Sequence, residues 1–498
     1  MDTNTNIISA IANESTGENL IHTENGALGY ATSRDALVDF FYEVGSMRNW
    51  GPDAKREAFA KCLVDNDELA MRLLFFLRDA RGGLGERLTF RDIIVDLPVS
   101  TVVRIVPLIP VYGRWDDLFV LLDKRDPEVD EAVFRLIRKT WDADLTALAR
   151  GEHVSLLAKW MPSIRKVSPA KVRLAKRLAR ECIQEDERRY RKHLSALRAA
   201  LRVVERDMTL DRWSEIDYSS IPSLAGLRYR EAFLRHDGAR RRQYLSALVE
   251  GKTKINASVL YPYDIVGKYS HGYTVDVALE EAWKALPVPS GMLSKAIVVR
   301  DGSGSMCSYV GGGVSALSIA TSLAILAAEK LEGVFHDKFI TFSDRPKLVD
   351  LGGCKNLREK ISRAYEEADI ANTDIQKTFR LILNAAVNHG LKQEDIPTVI
   401  VISDMEFDVA CYDTGKALFE QIADEWRQHG LELPKLVFWN VNSRSGAIPA
   451  RENENGVLLV SGFSQSIFDM LSENGGMREI LVKKLMNKRY DPVSAALA

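Results

Sequence analysis

An N-terminal all-α region of helical hairpins in series, followed by a doubly wound α/β domain, is the architecture this sequence predicts. Three observations carry it. From residue 33 to about 260, apolar residues recur at helical spacing between short punctuated gaps. From residue 293 onward, apolar runs of strand length alternate with helical patterns, the signature of a parallel sheet covered on both faces. Between them, over 261–292, prolines and glycines surround a single helical pattern at 275–286, which reads as a bridge between domains. A chain of 498 residues is too long for one ordinary core, so the expected division is a flexible tail at 1–24, a helical domain at 25–260, the bridge, and an α/β domain at 293–498.

Composition narrows the class. With 46% hydrophobic and 27% charged residues the chain is an ordinary globular one. It has neither the run of ~18 apolar residues that a spanning helix needs nor the basic and apolar regions of a secretory signal, so a cytoplasmic protein without membrane contact is expected. Its five cysteines are scattered with no CxxC pair and read as reduced thiols. The net charge of −2 hides an uneven distribution: residues 159–254 carry +12 and the remainder −14.

Residues 1–24 are polar and aperiodic and bury too little to offset their ordering entropy. SRDALVDFFYEVGSM then opens with Ser33 as an N-cap candidate and places Leu37, Phe40, Phe41 and Val44 on one face. Helical patterns follow at 54–64 and 68–79, the latter striped by Leu69, Leu73, Phe76 and Leu77. Two loops interrupt them. In ARGGLGERLTF, Arg78, Arg81 and Arg87 surround three glycines and suit a phosphate cradle, but the GK[ST] ending of a P-loop is missing. In YGRWDDLF the pair Asp116 and Asp117 falls in a first helical turn, where acidic residues complement the helix dipole; a capped helix start outweighs a metal site there.

Further helices are expected at 129–149 and through 169–202. The second of these repeats Lys171, Arg173, Lys176, Arg177 and Arg180 at three- and four-residue steps, a pattern that fits a solvated amphipathic face as well as a phosphate-binding one. Adding Arg228, Arg230, Arg235 and the triplet Arg240, Arg241 and Arg242, interleaved with Tyr229, Phe233 and Tyr244, favours structured or single-stranded RNA.

In the α/β domain, strands are expected at AIVV (296), KFITF (338), TVIVIS (398), KLVFWNV (435) and GVLLVS (456), with a short antiparallel edge at 347–350. Ligands on such sheets bind beyond the strands' carboxyl ends. Three oxygen-bearing segments reach that edge: Asp301-Gly-Ser303-Gly-Ser305, Asn372-Thr373-Asp374 and Ser403-Asp404. Carboxylates and hydroxyls without His or Cys suit Mg²⁺ or another hard divalent cation and reject zinc. Enzyme readings fail on spacing. The GxGxxA-like run from Gly311 starts well beyond the strand end, there is no GxSxG at a strand end, and no HExxH occurs, so catalysis is not expected.

DGSGSM, followed by a Thr-Asp and a strand-end Asp, resembles the metal-ion-dependent adhesion site of von Willebrand factor A domains. The resemblance implies that Asp301, Ser303 and Ser305 form the DxSxS motif, Thr373 the threonine loop and Asp404 the distal aspartate. It also implies a Mg²⁺ that performs no bond chemistry and keeps one coordination position for an acidic residue of a protein partner. Arg300, charged at the strand end before the motif, departs from the apolar pattern expected there.

The chain from about residue 25 is similar to the domain-of-unknown-function 2828 family of plants and phages. FLRDARGGLGER, YGRWDDL, LLAKWMPS, FLRHDGARRRQYL, NTDIQKTF, SDMEFD, VFWN and VSGFSQ carry the likeness. More distantly it resembles the Ro autoantigen (TROVE) family, RNA-binding proteins whose HEAT-like helical repeats form a ring joined to an A domain. That resemblance implies a ribonucleoprotein binding structured or misfolded noncoding RNA. Lys171, Arg173, Lys176, Arg228, Arg230 and Arg240 to Arg242 are the candidate contacts. The alternative is a protein-interaction scaffold whose A domain grips an acidic partner residue through Mg²⁺, without RNA.

Overall fold

A computed structural model of the chain describes residues 19–497 apart from 166, 258, 270–273, 288–294, 312, 343–344, 367–373, 409–415, 451–455 and 474. The chain divides into two compact units: the residues up to Ala70 with Leu260–Asn487, and Met71–Val259 with Lys488–Ala498. The first is the α/β unit and the second is helical. This division departs from the expected one. Residues 19–70 and the expected bridge both lie in the α/β unit, while the end of the chain lies in the helical unit.

Of the expected tail, residues 1–18 lie outside the described residues and residues 19–24 are folded. Strand β1 (Leu20–His22) pairs antiparallel with β2 (Leu28–Tyr30) across a turn centred on Asn25-Gly26, with Gly26 at φ +89°. Asn-Gly between two apolar triplets is a hairpin signal, because glycine takes the left-handed conformation without a Cβ clash. The next helix, Ala36–Glu43, is capped by Asp35, whose carboxylate accepts the Val38 N–H. Ser33, the expected cap, instead donates its backbone N–H to Asp39 at 2.8 Å.

Six further strands form one sheet: β3 (Ala296–Asp301), β4 (Lys338–Phe342), β5 (Leu348–Asp350), β6 (Thr398–Ser403), β7 (Leu436–Asn440) and β8 (Val457–Ser461). Their order is β5-β4-β3-β6-β7-β8, parallel except for the antiparallel edge strand β5. All the expected strands are present. The central strands are buried along their length, as continuous apolar runs covered on both faces must be. Order reverses between β3 and β6, which places a crevice at their carboxyl ends.

The helix Ala316–Ala328 is buried at every position. A helix apolar all round needs cover on all sides, and this explains the fate of the expected bridge. The helix Pro262–Tyr269 packs on Ala316–Ala328, and Leu357–Glu366 packs on it as well. Gly45, at the end of the Ala36–Glu43 segment, donates its N–H to Ser461 Oγ at 2.7 Å. A Cβ there would sit 2.8 Å from Asn440 O, so only glycine permits this approach.

The helical unit contains the helix Pro127–Ala149 and shorter helices before and after it. The expected helix over 169–202 is broken. Pro169–Arg177 runs into a π turn at Leu178–Cys182, Gln184 takes φ +60°, and Glu187–Ala200 restarts with Asp186 as its N-cap. The glycine loop folds around buried Asp79. That carboxylate accepts from the Arg81 N–H at 3.0 Å, from Arg489 Nη2 at 2.7 Å and from the Tyr490 hydroxyl at 3.1 Å. Tyr490 stacks on Tyr112, and Arg72 reaches Asp491 and Ser494. Gly83 cannot carry a side chain, since a Cβ would lie 1.9 Å from Phe76 O. Among the described residues no helix is long and apolar enough to cross a membrane.

The packing in each unit generates a prediction. Tyr490→Ala removes a buried aromatic and a hydrogen bond to Asp79, and is expected to cost about 3–5 kcal/mol of stability in the helical unit. Denaturant unfolding combined with amide exchange over residues 71–122 reads this; a decrease under ~1 kcal/mol would show the C-terminal segment to be dispensable. Glu43 concerns the other unit. It is 8% exposed, with Oε2 accepting from Ser46 Oγ at 2.6 Å and Oε1 without a hydrogen-bond partner among the described residues. Burial pushes its carboxyl up to about 7, opposed by the Ser46 bond. A carboxyl raised in the folded state holds its proton better there than in the unfolded chain. Its contribution is therefore present at acid pH and is lost as pH rises from the ordinary glutamate value to about 7. Glu43→Gln should match the wild type near pH 5 and be more stable near pH 8, by on the order of 1–3 kcal/mol; equal stability at both pH values sinks this account.

Candidate metal centre

Four of the five parallel strands end in a row of polar, fully buried residues: Asp301 on β3, Ser403 on β6, Asn440 on β7 and Ser461 on β8, whereas β4 ends in Phe342. Register sets it. Arg300 pairs with Ile402, Ser403 with Asn440 and Asn440 with Ser461, so one step beyond Arg300 brings Asp301 beside Ser403. Ser403 Oγ donates to Asp301 Oδ2 at 2.6 Å, and the Ser303 N–H donates to Asp301 Oδ1 at 2.8 Å. The Ser303 and Ser305 hydroxyl oxygens lie 2.9 Å apart. Ser305 also hydrogen-bonds Asp404, which is itself fully buried. Four of the five expected ligands, Asp301, Ser303, Ser305 and Asp404, thus converge at the β3/β6 crevice. Thr373 lies outside the described residues, and the described Asp374 caps the helix Ile375–Asn388 through the Lys377 N–H.

Electrostatics in this crevice are unbalanced. Burial raises the Asp301 carboxyl and the nearby Asp404 charge raises it further, against the bonds from Ser403 and Ser303. Burial likewise raises Asp404, opposed first by Arg444. Two buried carboxylates facing two hydroxyls form a donor set for a hard cation, which would relieve both the desolvation and the mutual repulsion. Among the described residues no cluster of three His, Cys, Asp or Glu side chains could hold a metal. The donors that converge here are carboxylate and hydroxyl oxygens without His or Cys, which suits a hard cation rather than zinc.

Three side chains around the crevice were not among the expected ligands. Arg444, in the loop after β7, places Nη1 2.9 Å from Asp404 Oδ2 and Nε 2.7 Å from Glu24 Oε2. Glu406 is fully buried; its carboxylate accepts from the backbone N–H groups of Glu24 (2.8 Å), Arg444 (2.6 Å) and Ser445 (2.8 Å). It thereby ties the β1/β2 turn to the loop after β7. Asn442 links that loop to the segment after the DxSxS motif through Ser308, at 3.0 Å. SDMEFD does place Glu406 two residues beyond Asp404, but nothing local announces Glu24 or Arg444.

Arg300 neither pairs with a described carboxylate nor reaches the mouth of the crevice. It is fully buried, with Nη1 3.2 Å from Thr321 Oγ1 and its guanidinium 5.5 Å from the Phe339 ring; Nε and Nη2 have no hydrogen-bond partner among the described residues. Burial lowers its pKa to about 10.

The candidate RNA residues divide in two. Arg241 is buried, its guanidinium within 5.1–5.4 Å of the Tyr218, Phe233 and Tyr244 rings. Arg240 donates to the carbonyls of Trp213 and Ile216 and to Asp237. Both hold the small core of Val204, Ile216, Tyr218 and Phe233 together, against which Tyr229 and Tyr244 also pack. Of the expected stacking aromatics Phe233 is a core residue and Tyr229 and Tyr244 pack partly buried against that core, while Arg240 and Arg241 are engaged by protein groups. Lys176 pairs with Glu187 and Arg230 with Glu231. Lys171, Arg173, Arg228 and Arg242 are exposed and form no ion pair with a described residue. In the loop weighed as a phosphate cradle Arg78 is bound to buried Asp117 at 2.6 Å, and in the loop read as a capped helix start Asp117 accepts the Arg114 N–H from the third position of Trp115–Asp123.

Comparison with known proteins gives relatives but no activity. An uncharacterized protein, L728, of Acanthamoeba polyphaga mimivirus is 28% identical over 525 residues, covering 96% of this chain and 87% of its own. The crystal structure of the Deinococcus radiodurans RO (RSR) protein aligns over 83% of this chain and 90% of its own, with 16% identity and a TM-score of 0.41. Residues 295–493, with the DxSxS motif and the blocks NTDIQKTF, SDMEFD, VFWN and VSGFSQ, match the domain of unknown function DUF7788. Residues 131–288 match the domain of unknown function DUF2828. The chain is thus similar to DUF2828 over 131–288, where the blocks LLAKWMPS and FLRHDGARRRQYL fall, while FLRDARGGLGER and YGRWDDL precede that match and the C-terminal blocks, with the candidate metal centre, fall in the DUF7788 match.

Proposed function

We propose that the α/β unit is a Mg²⁺-dependent binding module of the von Willebrand factor A type, engaging a protein partner through an acidic residue, and that it is not an enzyme. One observation carries this reading: Asp301, Ser303, Ser305 and Asp404 meet at the switch point of the sheet, oxygen donors throughout and only two of them carboxylates. Asp301 and Asp404 would hold the cation together with the two serine hydroxyls. Mg²⁺ in such a set supplies a Lewis-acidic position for an external carboxylate. Ser403 positions Asp301 by donating to Oδ2, and Arg444 positions Asp404. No histidine and no cysteine lies among these residues.

Isothermal titration of the full chain with Mg²⁺ tests the reading. Wild type should bind one ion. Asp301→Ala should weaken binding by roughly 100-fold or more, and Ser403→Ala by about 10- to 100-fold, as removal of a ligand's hydrogen-bonding support does. Amide exchange across residues 71–259 should stay unchanged in both. Equal affinity in wild type and Asp301→Ala refutes the metal site.

A second reading, noncoding-RNA binding by the helical unit, is favoured by the exposed Lys171, Arg173, Arg228 and Arg242 within a segment of net charge +12. Charge reversal at these four positions should weaken binding of a structured RNA and flatten the slope of log affinity against log salt, by roughly 0.7–0.9 for each phosphate that the variant no longer neutralises. Arg241→Ala should instead act on stability, through the aromatic cluster it fills. An unchanged salt slope in the fourfold variant removes RNA from consideration.

A further inference from the structure

The guanidinium of Arg444 stands between two carboxylates of different character. Asp404 on one side is fully buried, so that ion pair replaces lost hydration and is held firmly. Glu24 on the other side is 50% exposed and Arg444 itself 29% exposed, so their pair is screened and exchangeable. Nη2 of Arg444 has no partner among the described residues. The Glu24 backbone is fixed independently, because its N–H is bound to buried Glu406 and the neighbouring Asn25 side chain donates to Glu406 O at 2.7 Å. The Glu24 side chain can therefore leave Arg444 without moving the hairpin.

We propose that Arg444 is a partner-recognition cation beside the metal centre and that Glu24 is its built-in occupant: a carboxylate of a protein partner takes the place of Glu24 on Arg444. This rests on the metal-module reading and adds a second point of attachment to it, with a competing carboxylate from the same chain. A carboxylate is favoured over a phosphate because a carboxylate is what Arg444 already holds in this structure. An arginine fork is suited to planar two-oxygen groups. Occupation by Glu24 lowers affinity for the partner without altering the metal ligands, so the β1/β2 hairpin acts as a brake on docking.

The test uses the full chain, Mn²⁺ as the probe ion and an acetylated Gly-Glu-Gly amide tripeptide as the probe carboxylate, followed by isothermal titration and Mn²⁺ paramagnetic resonance. Glu24 is half exposed, so Glu24→Gln keeps the fold. With Mn²⁺ saturating, this variant should bind the tripeptide roughly 2- to 5-fold tighter than wild type, the range of a surface ion pair removed from competition. Its Mn²⁺ affinity should not change. Arg444→Lys, which keeps a cation against Asp404 but not the planar fork, should weaken tripeptide binding several-fold, measured with Mn²⁺ at saturation. Unchanged tripeptide affinity in Glu24→Gln overturns the proposal, as does displacement of the tripeptide by an equal concentration of inorganic phosphate. Absence of Mn²⁺ binding in wild type defeats the metal reading separately. The tripeptide comparison at saturating Mn²⁺ then decides Arg444 alone: a gain in Glu24→Gln and a weakening in Arg444→Lys support it, and no tripeptide binding by any form overturns it.

Discussion

A buried polar row at the carboxyl edge of the sheet is the constraint on which the α/β unit depends. Asp301, Ser403, Asn440 and Ser461 are all fully buried, and a buried polar group without a partner costs on the order of 1–3 kcal/mol. Each is answered from a different part of the chain. Ser403 serves Asp301, Asn440 Nδ2 donates to the Tyr42 carbonyl at 2.9 Å, and Ser461 Oγ accepts the Gly45 N–H. The segment around residues 42–45 belongs to this unit because the strand ends require its backbone. Gly45 has no side chain because the close approach leaves no room for one.

The same row explains why the candidate centre sits where it does. Asp301 has its two oxygens engaged by Ser303 and Ser403, while the neighbouring Asp404 charge is only partly met by Arg444. Carboxylates held in this way are oriented before any ion arrives, which reduces the ordering cost of binding. Glu406 then locks the β1/β2 turn and the loop after β7 together over the same edge, using backbone N–H groups from both. The crevice is thus walled by segments far apart in sequence. Arg300 lies on the other side of the strand from this chemistry, held by Thr321 and the Phe339 ring.

In the helical unit, the cations fall into two groups. Arg78 with Asp117, Arg177 with Asp130, and Arg489 with Asp79 fasten buried or half-buried carboxylates, and Arg241 fills an aromatic core. These cations are structural, and their removal leaves an uncompensated charge or a cavity. Lys171 and Arg173 on one helix, with Arg228 and Arg242 on others, are exposed and form no ion pair among the described residues. A net charge counted along the sequence does not separate the two groups.

Local chemistry determined a good deal by itself. Apolar runs of strand length fix strands wherever they are written, so β3, β4, β6, β7, β8 and the antiparallel edge β5 were legible, as was the crevice expected at their ends. Asp301, Ser303 and Ser305 follow one another at turn spacing, and with Asp404 they declare oxygen chemistry without any coordinates. The Asn25-Gly26 turn was equally legible in kind but was hidden by the polarity around it. Tertiary structure decided the rest, because it turns on which backbone or charge arrives from elsewhere. Glu24 meets Arg444 and Gly45 meets Ser461 only after the sheet has formed. The helical pattern beginning at residue 36 gives no sign that it covers a sheet rather than another helix, since an apolar stripe has no preference among apolar surfaces. Arg241 reads like its neighbour Arg242 in sequence; one step along the helix buries the first among three rings and leaves the second in water.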